Sequence, residues 1–342
     1  MKENFFNIPI AIFLFKRSNT VLQIIKVLEK IKPKKLYLIG DGPRNKKEEK
    51  TILQTRQDVI NAVTWDCEVI TNFSINNRGV FQNIAGGAKW VLEREESAVF
   101  LEDDNLPEHT FFEYCKDLLE KYKYNDKIFW ICGTNYLEDY QTKNNESYIF
   151  TQQLFPCGWA TWSSKFSKYY DDDLKCLENE ETLKLIKKQY FNNSLFKQQI
   201  NSGEYELYRR SQGLPYASWD FQMALSIKAN ELFGISPKYN QIENIGVDEF
   251  SIHGGNSFSN EMTRRFCTIK TKPLEFPLVH PSEIKLDEKF EKRTEKIILF
   301  PLKARIKFSI AIFIKNLFGL NKFEKFNKEA IKNKWYAKKN KI

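Results

Sequence analysis

Residues 99–107 read "VFLEDDNLP". Three apolar residues run directly into three carboxylates, which are costly wherever water cannot reach them. In an open α/β sheet, polar side chains that follow a strand lie at its carboxyl end, where ligands bind. The stretch therefore predicts a buried strand over 98–101 that delivers an acidic cluster to one edge of a sheet.

Strand and helix signals alternate along the first 140 residues. Val21, Ile24, Ile25, Leu28 and Ile31 recur at helical spacing until Pro33 ends the pattern. Repeated strand–helix–strand units imply an α/β fold with a mostly parallel central sheet and helices on both faces. The predicted strands lie at 8–15, 35–44 (which ends in a Gly-rich turn), 67–70, 98–101 and 127–133.

Charge is distributed unevenly over the 342 residues, whose formal net charge is +9. From Lys285 onward there are 17 Lys and Arg against 6 Asp and Glu, whereas residues 1–284 carry 36 against 38. We expect one α/β domain over 1–284, with halves at about 1–140 and 141–284, and a basic amphipathic helical tail over 285–342. A nearly neutral body argues against nucleic acid as a partner, because a basic groove would have to be built into the fold.

Several classes of protein are excluded by the motifs that the chain lacks. Its six cysteines form no CxxC pair and no zinc spacing, which favours a reducing, cytoplasmic location. The segment "IPIAIFLFKRSN" reads as a first strand rather than as a signal peptide. Since no run of 18 apolar residues occurs, we expect no transmembrane helix.

The acidic triplet Glu102, Asp103 and Asp104 has two interpretations. Acidic residues suit the start of the helix that follows, so the triplet could be a solvated cap. Alternatively, hard carboxylate oxygens bind Mg²⁺ or Mn²⁺ together with water and substrate phosphates. Arg17 and Asp41 follow two other predicted strands, so they would lie at the same edge of the sheet.

The segment "VFLEDDNLPEHTFFEYCKDLLEKYKYNDKIFWICGTNY" resembles the acidic strand-end segment of GT-A (Rossmann-like) glycosyltransferases. The animal N-acetylglucosaminyltransferase I family and related bacterial family 2-like glycosyltransferases share the pattern. The similarity extends in order over most of residues 8–260, through "FKR", "GDG", "EDD", a Gly-Trp segment, a Trp-Asp dipeptide and a late His-Gly. It implies a hexosyltransferase-type enzyme (EC 2.4) that uses a metal and inverts the anomeric centre. The enzyme would move a sugar from a UDP-linked nucleotide-sugar to a hydroxyl of a glycan or lipid-linked acceptor in surface polysaccharide synthesis.

The resemblance also implies roles for the residues at the edge of the sheet. Arg17 would meet the nucleotide or its phosphates, and Asp41 would accept the uracil N3 proton. Asp104 would bind Mn²⁺ or Mg²⁺, while Glu102 and Asp103 would hold ribose and sugar hydroxyls.

Three residues of the second half complete the predicted site. Asp220 in "ASWDFQ" would be the general base that takes the acceptor proton, although it could equally cap a helix, and the animal enzyme has a second Asp directly after it. Trp159 in "FPCGWATW" would form a sugar-facing wall or else pack in a buried aromatic corner. His253 in "FSIHGG" would bind phosphate or complete the metal shell, or else serve as a structural histidine.

Other interpretations stay open for the tail and for the reaction. The tail either packs on the domain or lies on an anionic membrane surface, which would make the protein peripheral to the cell membrane. A sugar-1-phosphate nucleotidyltransferase is an alternative enzyme, but it calls for a Gly-rich phosphate loop that "FKRSNT" lacks. A catalytically inactive, membrane-associated glycan-binding module is the non-enzymatic alternative. The discriminating observation is whether Asp104 and Asp220 face one pocket.

Overall fold

A computed structural model gives the fold and describes residues 6–247 and 258–325. The chain divides into two compact units, Met1–Ile297 and Ile298–Ile342. The strands are β1 (Ile10–Leu14), β2 (Lys35–Gly40), β3 (Glu68–Phe73), β4 (Ser97–Glu102), β5 (Asn105–Pro107), β6 (Ile128–Cys132), β7 (Tyr148–Thr151), β8 (Trp159–Trp162), β9 (Phe233–Pro237) and β10 (Ile242–Asn244). The helices are α1 (Ser18–Ile31), α2 (Lys46–Ala62), α3 (Gly79–Phe81), α4 (Gly87–Leu92), α5 (Thr110–Lys121), α6 (Ser163–Tyr169), α7 (Glu180–Lys188), α8 (Asn193–Ser211), α9 (Asp220–Ala229), α10 (Glu261–Phe266), α11 (Glu288–Ile298) and α12 (Leu302–Leu317).

The first unit is built on an eight-stranded sheet with the order β3-β2-β1-β4-β8-β6-β9-β7. Six of these strands run in the same direction, and only β8 and β7 oppose them. Helices surround the sheet, so the prediction of an α/β fold with a mostly parallel central sheet is confirmed. Among the described residues, no helix is long and apolar enough to cross a membrane.

Burial explains why the first elements form where they do. All five residues of β1 are buried, as expected for a central strand covered on both faces. In α1 the buried residues share one face, and the helix ends at Lys32, which adopts the left-handed conformation (φ 50°) directly before Pro33. Each of these large aliphatic side chains contributes roughly 1.5–3 kcal/mol when it is fully buried. The buried residues of α1 are Val21, Ile24, Ile25 and Leu28.

The order of the strands makes a switch point between β1 and β4, and we name the region beyond their carboxyl ends the crevice. From β1 the chain adds β2 and then β3 on one side, and it returns to place β4 on the other side of β1. Neighbouring connections therefore leave the sheet in opposite directions at this point. In open α/β sheets such a switch point is where ligands bind.

The short antiparallel strand β8 joins the two halves of the sheet. It pairs with β4 through Phe100 and Trp159 and with β6 through Cys132 and Trp159. The Trp159 ring stacks on Phe100 at 4.0 Å and on Trp130 at 4.2 Å between ring centroids. These stacked rings make a dry support for the strand ends that carry the acidic loop.

Helix α11 belongs to the first unit, although the sequence analysis places residues 285–342 in a tail. Phe290 is fully buried, and the buried Glu291 accepts hydrogen bonds from three groups at the end of β7 and directly after it. The donors are the Thr151 hydroxyl, the Gln152 amide nitrogen at 3.0 Å and the Gln153 side-chain amide at 2.7 Å. The division after Ile297 rather than after residue 284 follows from these buried contacts.

Candidate active site

An ion-pair cluster occupies the crevice between β1 and β4. Arg17, which follows β1, donates through Nη1 to Asp104 Oδ2 at 2.6 Å and to Asp103 Oδ1 at 3.4 Å. The other oxygen of Asp103 accepts a hydrogen bond from the Phe15 backbone nitrogen at 3.0 Å. The loop after β4 is thereby fastened to the loop after β1, and Asp103 serves as its anchor.

The carboxylates of the acidic loop raise one another's pKa. Burial raises the pKa of Glu102 well above its usual value, and the charges of Asp104, Asp103 and Asp220 raise it further. Burial and Asp104 likewise raise the pKa of Asp103. Arg17 lowers the pKa of both groups, but its charge does not offset these effects. The loop therefore lies in a negative field that a second cation would relieve.

Asn105 orients the carboxylate of Asp104, and sequence reasoning missed it. The Asn105 side-chain nitrogen donates to Asp104 Oδ1 at 2.7 Å, and its oxygen accepts from the Gly158 backbone nitrogen at 2.9 Å. The side chain is 1% exposed, so these hydrogen bonds fix its orientation. Gly158 itself has φ +61°, and a Cβ there would lie 2.4 Å from Ile242 Cδ1. An amide directly after an acidic triplet was the only sequence signal for this role.

The two-stranded ribbon of β5 and β10 brings a second segment over the acidic loop. Beyond β10, the Ile245 backbone nitrogen donates to the Asp104 carbonyl oxygen at 2.9 Å. A Cβ on Gly246 would lie 2.1 Å from Asp104 Oδ2, so only glycine fits there without a shift. His253 comes seven positions later and lies outside the described residues.

Asp41, which directly follows β2, holds the loop that follows β3. Its Oδ1 accepts hydrogen bonds from the backbone nitrogens of Gly42 at 2.8 Å and Arg78 at 2.7 Å. Its Oδ2 accepts from the Asn77 side chain at 2.8 Å and the Gly79 backbone nitrogen at 3.0 Å. These four donors match the number of lone pairs on a carboxylate. Recognition of uracil by Asp41 stays a prediction, and it would require one of these donors to move away.

Asp220 is the first residue of α9, and surrounding side chains fix the turn that precedes it. The buried Glu206 of α8 accepts a hydrogen bond from the Ala217 backbone nitrogen at 2.6 Å. The Tyr170 hydroxyl donates to the Trp219 carbonyl oxygen at 3.1 Å. Asp220 Oδ1 accepts from the backbone nitrogen of Phe221 at 3.1 Å, so it also contributes to the start of the helix. Sequence reasoning missed Glu206 because a glutamate on a charged helix is usually exposed, and its burial depends on how α8 packs.

Tyr136 and Cys157 are buried groups that the charges of Asp220 and of the acidic loop influence, respectively. The pKa of Tyr136 is raised by burial first and then by the charges of nearby groups, Asp220 among them. The pKa of the Cys157 thiol is raised by burial and by Glu102 and Asp104. Of the acidic loop, Glu102 is the residue on which the charge of Asp220 acts directly.

Trp159 packs in a buried aromatic corner, which is one of the two interpretations given by the sequence. It is 1% exposed, and Phe100 and Trp130 stack on its ring. Exposed ring surface is what a sugar would need, so this arrangement favours packing over sugar contact.

A divalent metal ion fits this site only with help from the substrate. The described part of the chain contains no group of three or more His, Cys, Asp or Glu side chains that could hold a metal ion. Among the described residues, Asp104 would be the metal ligand, and diphosphate oxygens and water would complete the shell, as is common for Mg²⁺. Hard oxygen ligands and a negative field suit Mg²⁺ or Mn²⁺.

Comparisons with known proteins give only remote structural likenesses. No family model and no curated protein matches the chain. The mannosyltransferase PcManGT from Pyrobaculum calidifontis, solved with GDP-Man and Mn²⁺, aligns at 10% identity and TM-score 0.34, covering 65% of this chain and 69% of its own. A UDP-glucose pyrophosphorylase complexed with UDP-glucose aligns at 10% identity and TM-score 0.34, covering 70% and 94%. The bifunctional glycosyltransferase WbbM aligns at 13% identity and TM-score 0.30, covering 66% and 37%. The function proposed below is argued from the site alone.

Proposed function

We propose that this protein is a metal-dependent, inverting glycosyltransferase. It would transfer a sugar from a UDP-linked nucleotide-sugar to a hydroxyl of a glycan or lipid-linked acceptor. The reaction would take place in the cytoplasm, as a step in the synthesis of a surface polysaccharide. The observation that carries this proposal is the cluster between β1 and β4, where Arg17 pairs with Asp103 and Asp104 and where the charge of Asp220 acts on the neighbouring Glu102. A donor diphosphate needs cations, and an acceptor hydroxyl needs a base, and this crevice offers groups for both.

The proposed reaction balances with one nucleophile and one leaving group. The acceptor oxygen forms a bond to the anomeric carbon while the bond from that carbon to the diphosphate oxygen breaks. Asp220 takes the proton of the acceptor hydroxyl, and the nucleoside diphosphate leaves with the electron pair. A metal ion at Asp104 would supply positive charge to that leaving group. Arg17 Nη1 lies 2.6 Å from Asp104 Oδ2, so the Arg17 guanidinium would contact the phosphates that the metal ion binds.

We propose a different role for each of the three carboxyl groups of the acidic loop, and their contacts support these roles. Asp103 is bound to Arg17 and to the Phe15 backbone, which makes it an anchor as well as a candidate ligand of the ribose. Glu102 would hold a sugar hydroxyl, and the influence of the Asp220 charge on it supports a place near the proposed base. His253, outside the described residues, keeps its predicted role at the phosphates or the metal. Trp159 would support the site through packing.

A thermal-shift screen tests the proposed function. The chain is heated with a panel of UDP-, GDP-, CDP- and dTDP-sugars, with and without Mn²⁺. A donor present at 100 times its Kd should add about 2.7 kcal/mol to the free energy of unfolding. We expect UDP-sugars to stabilise the protein, and only when Mn²⁺ is present.

The products formed from the best donor then separate the two enzyme classes. A glycosyltransferase releases the nucleoside diphosphate when acceptor is supplied. A nucleotidyltransferase instead converts the donor and pyrophosphate into a nucleoside triphosphate and a sugar-1-phosphate. Formation of the triphosphate, or a complete lack of stabilisation across the panel, would contradict the proposal.

A further inference from the structure

Helix α12 carries a row of large apolar side chains that water can reach. Of the second unit, the structure describes residues 298–325, and α12 is its main helix. The row follows the helical spacing i, i+4, i+8, i+11 and i+15, which places its members on one face. We name it the exposed stripe, and its members are Leu302 (61% exposed), Ile306 (49%), Ile310 (53%), Phe313 (63%) and Leu317 (64%), while Phe308 (47%) lies on the other side of the helix.

Positive charge flanks the exposed stripe, and α12 contains no acidic residue. At 100° per residue, Lys303 and Lys307 lie beside the stripe on one side and Arg305 lies on the other. The charge continues along the sequence, since residues 298–342 contain twelve Lys and Arg but only two Glu. Long basic side chains can extend their charged ends away from an apolar face toward anionic groups.

We propose that α12 lies in the plane of an anionic lipid bilayer. The exposed stripe would enter the boundary between headgroups and acyl chains, and Lys303, Arg305 and Lys307 would meet the headgroup phosphates. A helix of 16 residues is about 24 Å long, which is short of the roughly 20 residues needed to span the hydrocarbon core. Basic amphipathic helices of this kind bind at the interface through buried apolar area together with electrostatic attraction.

Charge distinguishes the bilayer from the other surfaces that could cover the stripe. Two copies of α12 packed in parallel through their stripes would bring Lys303 and Lys307 against like charges, and in either orientation the helix has no Glu or Asp to pair with them. Nucleic acid would satisfy the charges, but it offers no apolar surface to five large side chains. An anionic bilayer satisfies both features at once.

Vesicle co-sedimentation of the full chain tests this proposal. One vesicle preparation is pure phosphatidylcholine, and the other contains about 30% phosphatidylglycerol, which gives the negative surface that attracts basic segments. Two double variants are compared with the wild-type protein. Ile310→Ser with Phe313→Ser weakens the stripe, and Lys303→Glu with Lys307→Glu reverses the flanking charge. The matched control reverses two exposed lysines of α7, Lys187→Glu with Lys188→Glu.

We expect the wild-type protein to bind only the anionic vesicles, and less as salt is added. Each basic residue near such a surface contributes about 1 kcal/mol, so the α12 charge reversal should weaken binding at least tenfold. The stripe variant should lose a similar factor, while the α7 control changes less than about twofold. All variants should keep the wild-type melting temperature of the first unit.

Three results would overturn the proposal. One is unchanged vesicle binding in both α12 variants. Another is a wild-type dimer in sedimentation equilibrium without lipid that the stripe variant abolishes, which would make α12 a subunit interface. The third is tight binding of an oligonucleotide that the lysine variant abolishes and the stripe variant leaves intact. UDP binding, measured on the same samples, reports on the crevice independently of α12.

Discussion

Asp41 and Asp220 are both aspartates at the edges of regular elements, yet they have different surroundings. Asp41 is 5% exposed and receives four hydrogen bonds from its own loop and the loop after β3. Asp220 is partly exposed and begins a helix, and its charge helps to raise the pKa of Glu102. A saturated carboxylate holds structure together, whereas a carboxylate that faces other charges can take up a proton. This contrast makes Asp220 the better candidate for a base.

Replacing Asp220 with Asn should separate catalysis from binding. If Asp220 is the general base, Asp220→Asn should lower turnover by about 10²- to 10⁴-fold, the usual contribution of such a group. UDP affinity should change by less than about threefold, because the diphosphate side of the crevice is untouched. Calorimetry gives the affinity, and release of UDP from the donor in the presence of glycan or lipid extract gives the rate. Near-normal turnover would remove Asp220 from the mechanism and leave it a structural role at the start of α9.

Glu48 on α2 provides a prediction about acid stability. Hydrogen bonds from Arg44, aided by Lys16, lower the pKa of Glu48 from 4.5 to about 2, although burial opposes the shift. A carboxyl whose pKa is lowered on folding stabilises the protein above its unfolded pKa, and that stability is lost as the pH falls. The contribution of Glu48 should therefore be complete above about pH 5 and should disappear between about pH 4.5 and pH 2.

Urea unfolding of Glu48→Gln measures this contribution directly. The difference in the free energy of unfolding between wild type and variant should be largest near neutral pH and should shrink toward pH 2. A matched control is Glu113→Gln, an exposed residue of α5 paired only with Lys116 at its surface. A difference for Glu48→Gln that does not depend on pH would contradict the assigned ion pairs.

Among the elements, the ribbon of β5 and β10 shows why sequence reasoning missed the glycines that contact the acidic loop. The acidic loop was recognisable because its three carboxylates are adjacent in the chain. Gly246 and Gly158, which determine how close other backbone segments approach that loop, are distant from it in sequence. Pairing between Asn105 and Asn244 brings these segments together, and no local pattern reports such a contact. Periodicity reports on burial within one element and not on its partner.

Helix α11 supplies the prediction at this scale. A chain that ends after residue 298 should melt at nearly the temperature of the full protein, because the first unit keeps its own contacts. A chain that ends after residue 287 should fail to fold cooperatively. It loses the buried Phe290 and leaves the donors at Thr151, Gln152 and Gln153 without the Glu291 carboxylate. Each such buried donor costs about 1–3 kcal/mol, a large part of a total stability of 5–15 kcal/mol.

Circular dichroism melts of the two truncated chains give the measurement, with Phe290→Ala in the full chain as a milder test. Truncating a buried Phe typically costs about 3–5 kcal/mol, so this variant should melt at a clearly lower temperature. Equal melting of both truncated chains would mean that α11 is dispensable for the first unit.

At the scale of the whole molecule, the class of fold followed from the sequence, but the order of the strands did not. Buried runs such as the one over β1 and the helical spacing in α1 are local, so they predicted α/β layers well. The insertion of β8 between β4 and β6 depends on four residues that pair with strands far away in sequence. The same insertion buries Trp159, and so a tryptophan predicted to face a sugar became part of the core.

The switch point between β1 and β4 brings Arg17 to the acidic loop, and the proposed binding of the donor diphosphate depends on this arrangement. Calorimetric titration of UDP, with and without Mn²⁺, is carried out on the wild type, Asp104→Asn and a control. The control is Asp66→Asn, an exposed aspartate that precedes β3 at the opposite edge of the sheet. We predict that Mn²⁺ strengthens UDP binding to the wild type and the control, and that Asp104→Asn abolishes this metal dependence. UDP binding to Asp104→Asn with unchanged dependence on Mn²⁺ would rule out Asp104 as the metal ligand.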